Sequence, residues 1–377
     1  MSFVRLSDKT SRDCYIDYLI SQGVTVEYWD VVSLVEADYE EAAAKSTDYL
    51  RVLQTYSELE ALLRIPENRD AYYVTIVTYS VLSIKLYRML TKYDCKLIYI
   101  MWGAVPVNPL NRWMRLSRII FNPLDVALQL YNRQKAIVCR KIKLVKPFDI
   151  IFVGGEVMKA NSGFSKQMVP INSWDFERYR QVKVANSAPL VEGRYVVFLD
   201  VYLAYHANNK ACGWSMIGPD MYFSALNQFF ERVEEKFGVE VVIAAHPRAD
   251  YRTVNPFKGR RIVQFQTPEL VKDSVFVITH SSLSQSQAVL NYKPLIFVYT
   301  NEMKSVYKHT YVNEVYDAAD YLKAALYNID EITSNDQIVL NEVNLARYES
   351  YKYDFLVSRE SEHKVTEEIF LESLNYR

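Results

Sequence analysis

The feature that most constrains this chain is a run that begins at Val275. Four apolar residues, Val275-Phe276-Val277-Ile278, lead into Thr279-His280-Ser281-Ser282. The stretch Leu283 to Leu290 follows, and after Asn291-Tyr292-Lys293-Pro294 comes a second apolar run, Leu295 to Val298. Short, β-branched runs bounded by polar punctuation read as strands covered on both faces, with a helix between them. Strand, tight turn, helix, strand is the unit of a parallel sheet, so the run commits the chain to an α/β fold. Ser281 or Ser282 can cap the helix. A helix entered that way offers unpaired backbone N–H groups and the positive end of its dipole, which with two hydroxyls makes a compact anion site. The alternative is that the serines only cap a core helix.

The first half alternates in the same manner. Helices are predicted over Asp8 to Gln22, Ser57 to Leu63 (capped by Ser57 with Glu60) and Ser80 to Lys92. Strands are predicted over Val24 to Val31, Tyr49 to Tyr56, Tyr72 to Tyr79, Lys96 to Trp102 and Asp149 to Val153, the last running into Gly154-Gly155-Glu156. From Asn111 to Lys146 a long helical region carries many Arg and Lys among apolar residues and almost no acid. Such a segment suits an anionic membrane surface or acceptor, or a solvated basic face over a buried stripe. Met168 to Gly193, with Pro170 and Pro189, reads as a linker. A second α/β unit then has strands at Tyr195 to Leu199 and Val239 to Ala245, a helix at Asp220 to Phe237, and the opening run. Leu345 to Asn375 reads as a helical tail reaching back over the first half.

At 377 residues the chain suits two domains. The expected architecture is two Rossmann-like domains with a cleft between them and a C-terminal helix crossing back. Their expected bounds are 1–185, 186–344 and, for the tail, 345–377.

Three strand ends of the second domain carry chemistry. Asp200 closes Val196-Val197-Phe198-Leu199, His246-Pro247-Arg248 closes the next strand, and Thr279 to Ser282 closes the third. Ligands of open α/β sheets sit beyond such ends. A carboxylate there is costly unless paired or used. Asp200 can therefore serve as general base or nucleophile, or as a loop cap. Pro247 fixes an extended bend that leaves the His246 imidazole free for a phosphate, ribose or base, and Arg248 adds a bidentate donor. Glu156 suits proton transfer or an ordinary loop place.

These elements resemble the GT-B glycosyltransferases that use CMP-activated acidic sugars, the bacterial sialyltransferases and Kdo transferases. The resemblance implies that His246-Pro247 and Ser281-Ser282 bind CMP, with Arg248, Thr279 and Gln285 in the donor set. The segment Phe198 to His206 looks most like the retaining β-Kdo transferases of O-antigen and capsule synthesis, which would make Asp200 the nucleophile and Glu156 an acid/base. Gly154, Gly155, Tyr202 and His206 become cleft contacts. The acidic D/E-D/E-G triplet of many sialyltransferases is absent, so their general-base assignment is not carried over. The implied partners are a CMP-activated acidic sugar and a glycan or lipid-linked glycan acceptor, with peripheral membrane contact through 111–146. UDP- or GDP-sugar transfer, inversion, and a non-catalytic nucleotide-binding subunit are the competing readings, with an epimerase last.

Other classes lose support. A net charge of -1 and the lack of a basic arm argue against nucleic acid. There is no G-x-G-x-x-G, no P-loop pattern, and no D-x-D to hold a metal on a diphosphate, so neither cofactor nor metal is expected. Four scattered cysteines, no signal-peptide core in Met1 to Lys9 and no long apolar run lead to the expectation of a cytoplasmic, non-spanning protein.

Overall fold

The computed structural model of the chain describes residues 1–2, 5–35, 46–77, 79–101, 105–106, 123–161, 164–205, 216–251, 253–307 and 311–374. The chain forms two compact Rossmann-like α/β units. The first holds a two-stranded parallel pair, β1 (Tyr28–Asp30) and β2 (Leu50–Val52), and a four-stranded parallel sheet. That sheet is β3 (Tyr72–Thr75), β4 (Lys96–Met101), β5 (Phe148–Gly154) and β6 (Ser165–Ile171), in chain order. The second holds one six-stranded parallel sheet. Its strands are β7 (Tyr195–Leu199), β8 (Glu240–Ala245), β9 (Ile262–Gln264), β10 (Val277–Thr279), β11 (Leu295–Tyr299) and β12 (Ala325–Asn328).

In the second unit the spatial order is β9-β8-β7-β10-β11-β12. The chain begins in the middle, winds one way for three strands, and returns to wind the other way. The order reverses between β7 and β10. All five residues of β7 are buried, as are all three of β10, because helices cover both faces. The helix Pro219–Phe237 is one cover. Pro219 occupies its first turn, Gly238 ends it at φ 61°, and Tyr222, Phe223, Leu226, Phe229, Phe230 and Val233 form its buried stripe. Phe230 meets Phe198 of β7 at 5.0 Å between ring centroids.

Several expected elements change on folding. Asp8 to Gln22 is two helices, Asp8–Asp13 and Ile16–Ser21, parted where Tyr15 takes φ 57°. The helix ending at Leu63 is capped by Thr55, whose hydroxyl accepts the Glu58 N–H, rather than by Ser57. The stretch 168–193 is not all linker. It contains the end of β6 and the helix Trp174–Ala185. Pro170 is tolerated because β6 is an edge strand, where a missing N–H faces outward. Only Phe176 and Val182 of that helix are buried, so its period is faint in the sequence. Of the basic region, the helix Pro123–Lys141 is described, and residues 111–122 of that expectation lie outside the described residues.

The tail holds the α-helix Leu345–Tyr351, continued by a π-helical turn Lys352–Leu356, in the second unit and the α-helix Thr366–Ser373 in the first. In the first, the Phe370 ring lies 4.7 Å from Phe152 of β5 and 5.4 Å from Tyr15. Asn172 fixes its approach: its N–H donates to Thr366 Oγ1 at 3.2 Å and its side-chain amide to the Lys364 carbonyl at 3.0 Å.

The imidazole after β10 is part of the second unit's core. His280 is fully buried, and its Nδ1 lies 2.7 Å from the Val298 carbonyl, which can only accept. Nδ1 therefore carries the proton, and Nε2 accepts from the Tyr222 hydroxyl at 2.7 Å. Burial lowers the His280 pKa to about 4. In the unfolded chain it titrates near its ordinary value, so between that value and pH 4 the unfolded state binds more protons. The stability it confers is complete above pH 6.5 and declines as pH falls. Replacing His280 with Gln should reduce the fall in unfolding free energy between pH 7 and pH 4 by about 3 kcal/mol relative to the parent chain. Denaturant unfolding at the two pH values measures this, and identical slopes would refute the assignment.

Candidate functional site

The register brings the three strand ends level. Thr279 pairs with Leu199, and Leu199 with Ala244 on the other side. The residues that follow, His280 to Ser282, Asp200 and His246, leave neighbouring strands at the same height. Asp200 and His280 flank the reversal in strand order, where ligands of open α/β sheets bind.

Asp200 is 5% exposed. Its N–H continues the ladder to the Ala244 carbonyl at 3.0 Å. Its Oδ1 accepts from the Tyr202 N–H at 2.9 Å, and its Oδ2 from the Tyr251 hydroxyl at 3.0 Å and the His246 N–H at 3.4 Å. Burial raises its pKa, and these hydrogen bonds oppose the rise. The Tyr251 phenol is pushed well up by burial and the neighbouring carboxylate, so it remains a donor. Tyr202 sits at φ 54°, a left-handed conformation held by its bond to Asp200. The carboxylate thus ties together the loops after β7 and β8.

His246 is half-buried, and Pro247 and Arg248 are exposed. The His246 Nδ1 accepts the Arg248 N–H at 3.1 Å, which leaves Nε2–H as a donor in the neutral ring. The ring lies parallel to that of Tyr202, with centroids 6.4 Å apart. Gln264, at the end of β9, donates to the carbonyls of His246, Pro247 and Ala249 at 2.8, 3.1 and 3.1 Å. That clamp makes the bend rigid.

The turn after β10 differs from the expected anion cradle. Its α-helix, Gln285–Leu290, has six residues and starts three positions beyond Ser282. The N–H groups of Ser281, Ser282 and Ser284 before it are already taken. Tyr311 accepts from the Ser281 N–H at 3.1 Å and donates to the Ser281 carbonyl at 2.6 Å. Gln285 Oε1 accepts from Ser282 N–H at 3.3 Å, and Ser282 Oγ from Ser284 N–H at 3.2 Å. Side chains have won the competition for these donors. Two expected donor contacts, Thr279 and Gln285, have no exposed surface. Gln285 also reaches Tyr351 at 3.4 Å, and the Thr279 hydroxyl lacks a hydrogen-bond partner. The polar side chains at this rim suited to an anion are His246, Arg248, Ser281 and Ser282.

Glu156 belongs to the first unit. It opens the helix Glu156–Asn161 after Gly154 and after Gly155 at φ 84°, where a side chain would be strained. Its carboxylate pairs with Lys159 at 2.9 Å. His206 lies outside the described residues. Among the described residues no group of three or more His, Cys, Asp or Glu is placed to hold a metal ion. A surface hollow of about 450 Å³, lined by Asp220, Ser224, Arg232, Ile329 and Asp330, contains none of the site residues.

Tyr251, Gln264, Tyr311 and Tyr222 support the site and were not found from sequence. Each acts across the fold, and only the excess of tyrosine, 30 in 377 residues, hinted at hydroxyls with structural work.

No family model matches the chain, and no curated protein matches its sequence. Solved structures resemble it distantly. The wall teichoic acid polymerase TagF aligns with a TM-score of 0.46 at 10% identity, over 99% of this chain and 88% of that one. The UDP-GlcNAc 2-epimerase of Methanocaldococcus jannaschii aligns with a TM-score of 0.43 at 12% identity, over 96% and 95%. The calicheamicin glycosyltransferase CalG4 aligns with a TM-score of 0.42 at 9% identity, over 90% and 84%. The site is therefore read from this chain's own residues.

Two outcomes check that reading. A buried Asp whose folded pKa is raised lowers stability as pH rises through the window between its ordinary and raised values. Asp200→Asn should thus melt higher than the parent at pH 8, with the difference vanishing towards pH 3; a difference independent of pH would contradict the burial argument. Thr279→Val removes an unpaired buried hydroxyl and should stabilise by about 1 kcal/mol without loss of ligand affinity. Weaker binding in that variant would restore Thr279 as a contact.

Proposed function

We propose that this chain is a GT-B glycosyltransferase that moves Kdo, or a related ulosonic acid, from its CMP donor to a growing surface glycan. The observation that carries the reading is the buried Asp200 carboxylate at the reversal of strand order, one strand away from His246-Pro247 and from Ser281-Ser282. CMP would lie on the second unit. Its phosphate would take hydrogen bonds from His246 Nε2–H, Arg248 and the serine hydroxyls, so no metal is required.

Departure of CMP leaves an oxocarbenium-like centre. The backbone N–H groups of Tyr202 and His246 and the Tyr251 hydroxyl hold the carboxylate in place, and it would trap the sugar through one of its oxygens. The acceptor hydroxyl then displaces the carboxylate, giving net retention. Glu156 is the acid/base candidate from the first unit.

One observation favours a second reading. Tyr202, His246 and Tyr251, which hold the Asp200 side chain, lie on the loops after β7 and β8, so the carboxylate can act as an anchor in a site that only holds nucleotide. Asp200→Asn separates the two, because Asn keeps an acceptor for the Tyr202 N–H. As a nucleophile, Asp200 cannot be replaced. The variant should bind CMP like the parent by calorimetry yet transfer Kdo slower by a factor on the order of a thousand or more. Intact-mass analysis of the parent with donor alone should show a glycosyl adduct on Asp200. Normal turnover by the variant would leave only the anchor. His246→Ala should weaken CMP binding about tenfold through loss of one charge-assisted hydrogen bond. A panel of CMP-, UDP- and GDP-sugars with and without EDTA checks donor and metal; turnover only with UDP- or GDP-sugars would overturn the donor assignment.

A further inference from the structure

We propose that the outer face of the helix Pro123–Lys141 is a docking surface for an anionic phospholipid membrane. Leu128, Tyr131, Lys135, Val138 and Ile142 follow at spacings of three and four residues and so share one face. Helical hydrogen bonding runs on to Ile142, whose N–H reaches the Val138 carbonyl at 2.9 Å. The four apolar members are 58%, 62%, 48% and 59% exposed in chain order.

The opposite side of the last turns of the helix is engaged. Cys139 is buried, the Arg140 guanidinium lies 4.1 Å over the Tyr79 ring and 4.2 Å over Phe164, and the Tyr79 hydroxyl donates to the Ala136 carbonyl at 2.9 Å. The helix is anchored by one side and leaves large apolar groups in water on the other. Exposed apolar patches of this kind mark contact surfaces.

Charge selects the occupant. From position 126 to 148 the chain has no acidic residue. Lys146 is taken by Asp94 at 2.9 Å and Asp149 at 3.4 Å. Arg133, Lys135, Lys141 and Lys143 are exposed. A second copy on this face would set cation against cation, because the two-fold contact repeats the same patch. A soluble polyanion would use the cations and leave the apolar stripe wet. An anionic bilayer uses both, with the stripe in the headgroup boundary and the cations on the phosphates. No helix among the described residues is long and apolar enough to cross a membrane, so the contact is one of lying on its surface.

Co-sedimentation of the full chain with phosphatidylglycerol-rich vesicles, against pure phosphatidylcholine vesicles, tests this. Binding is expected only to the anionic vesicles, falling about fivefold for each of Lys135 and Lys141 replaced by Ala. The pair Val138→Asp and Ile142→Asp should lose at least tenfold. Melting temperatures equal to the parent's show that these exposed changes leave the fold intact. The charge variants keep the test decisive if the apolar pair misfolds. Equal binding to both vesicle types, no binding, or unchanged binding by the variants would overturn the proposal. So would a dimer in sedimentation that the same substitutions dissociate. The readout involves no nucleotide, so it stands or falls independently of the donor site.

Discussion

A single ionisable group buried at the end of the central strand sets the terms for the second unit. Asp200 follows five consecutive buried residues and has almost no water of its own. A carboxylate in that position is tolerated only if the protein supplies donors. Tyr202, Tyr251 and the His246 backbone do so, and in doing so they fix the shapes of two loops. The neighbouring His280 solves the same problem oppositely, by staying neutral between a hydroxyl and a carbonyl. One rim therefore holds a carboxylate whose charge is opposed by burial and an imidazole whose charge is suppressed by it. Groups placed in this way at a strand-order reversal are the kind that sites of chemistry use.

Parallel strands were the most legible part of the sequence. β7, β8, β10 and β11 are nearly pure apolar runs because helices cover both of their faces, and that composition survives any uncertainty about neighbours. The common level of Asp200, His246 and Thr279 could be anticipated from those runs, since each residue terminates one of them. β6 was hidden because an edge position lets it carry Pro170, and the helix Trp174–Ala185 because it buries only two side chains. In both cases the sequence carries little of the burial from which a pattern could be read.

The finer architecture of the site was not legible for a different reason. Whether Ser282 offers a free N–H depends on Gln285, and whether Ser281 does depends on Tyr311, thirty positions away. Capping preferences speak only of neighbours along the chain. Tyr251 and Gln264 likewise act through contacts that no spacing rule encodes. Legible from the sequence was which residues arrive at the rim. Which of their atoms remain available was decided by side chains from elsewhere.

The hold of Tyr311 on Ser281 means that the stretch from Val275 to Val298 is not a portable module. Both the backbone donor and the backbone acceptor of Ser281 are satisfied by the phenol that opens the helix Tyr311–Leu322. Grafted into another scaffold, the segment would carry its letters but not its bend, and the serines would drift back to the ordinary capping roles that their local sequence prefers.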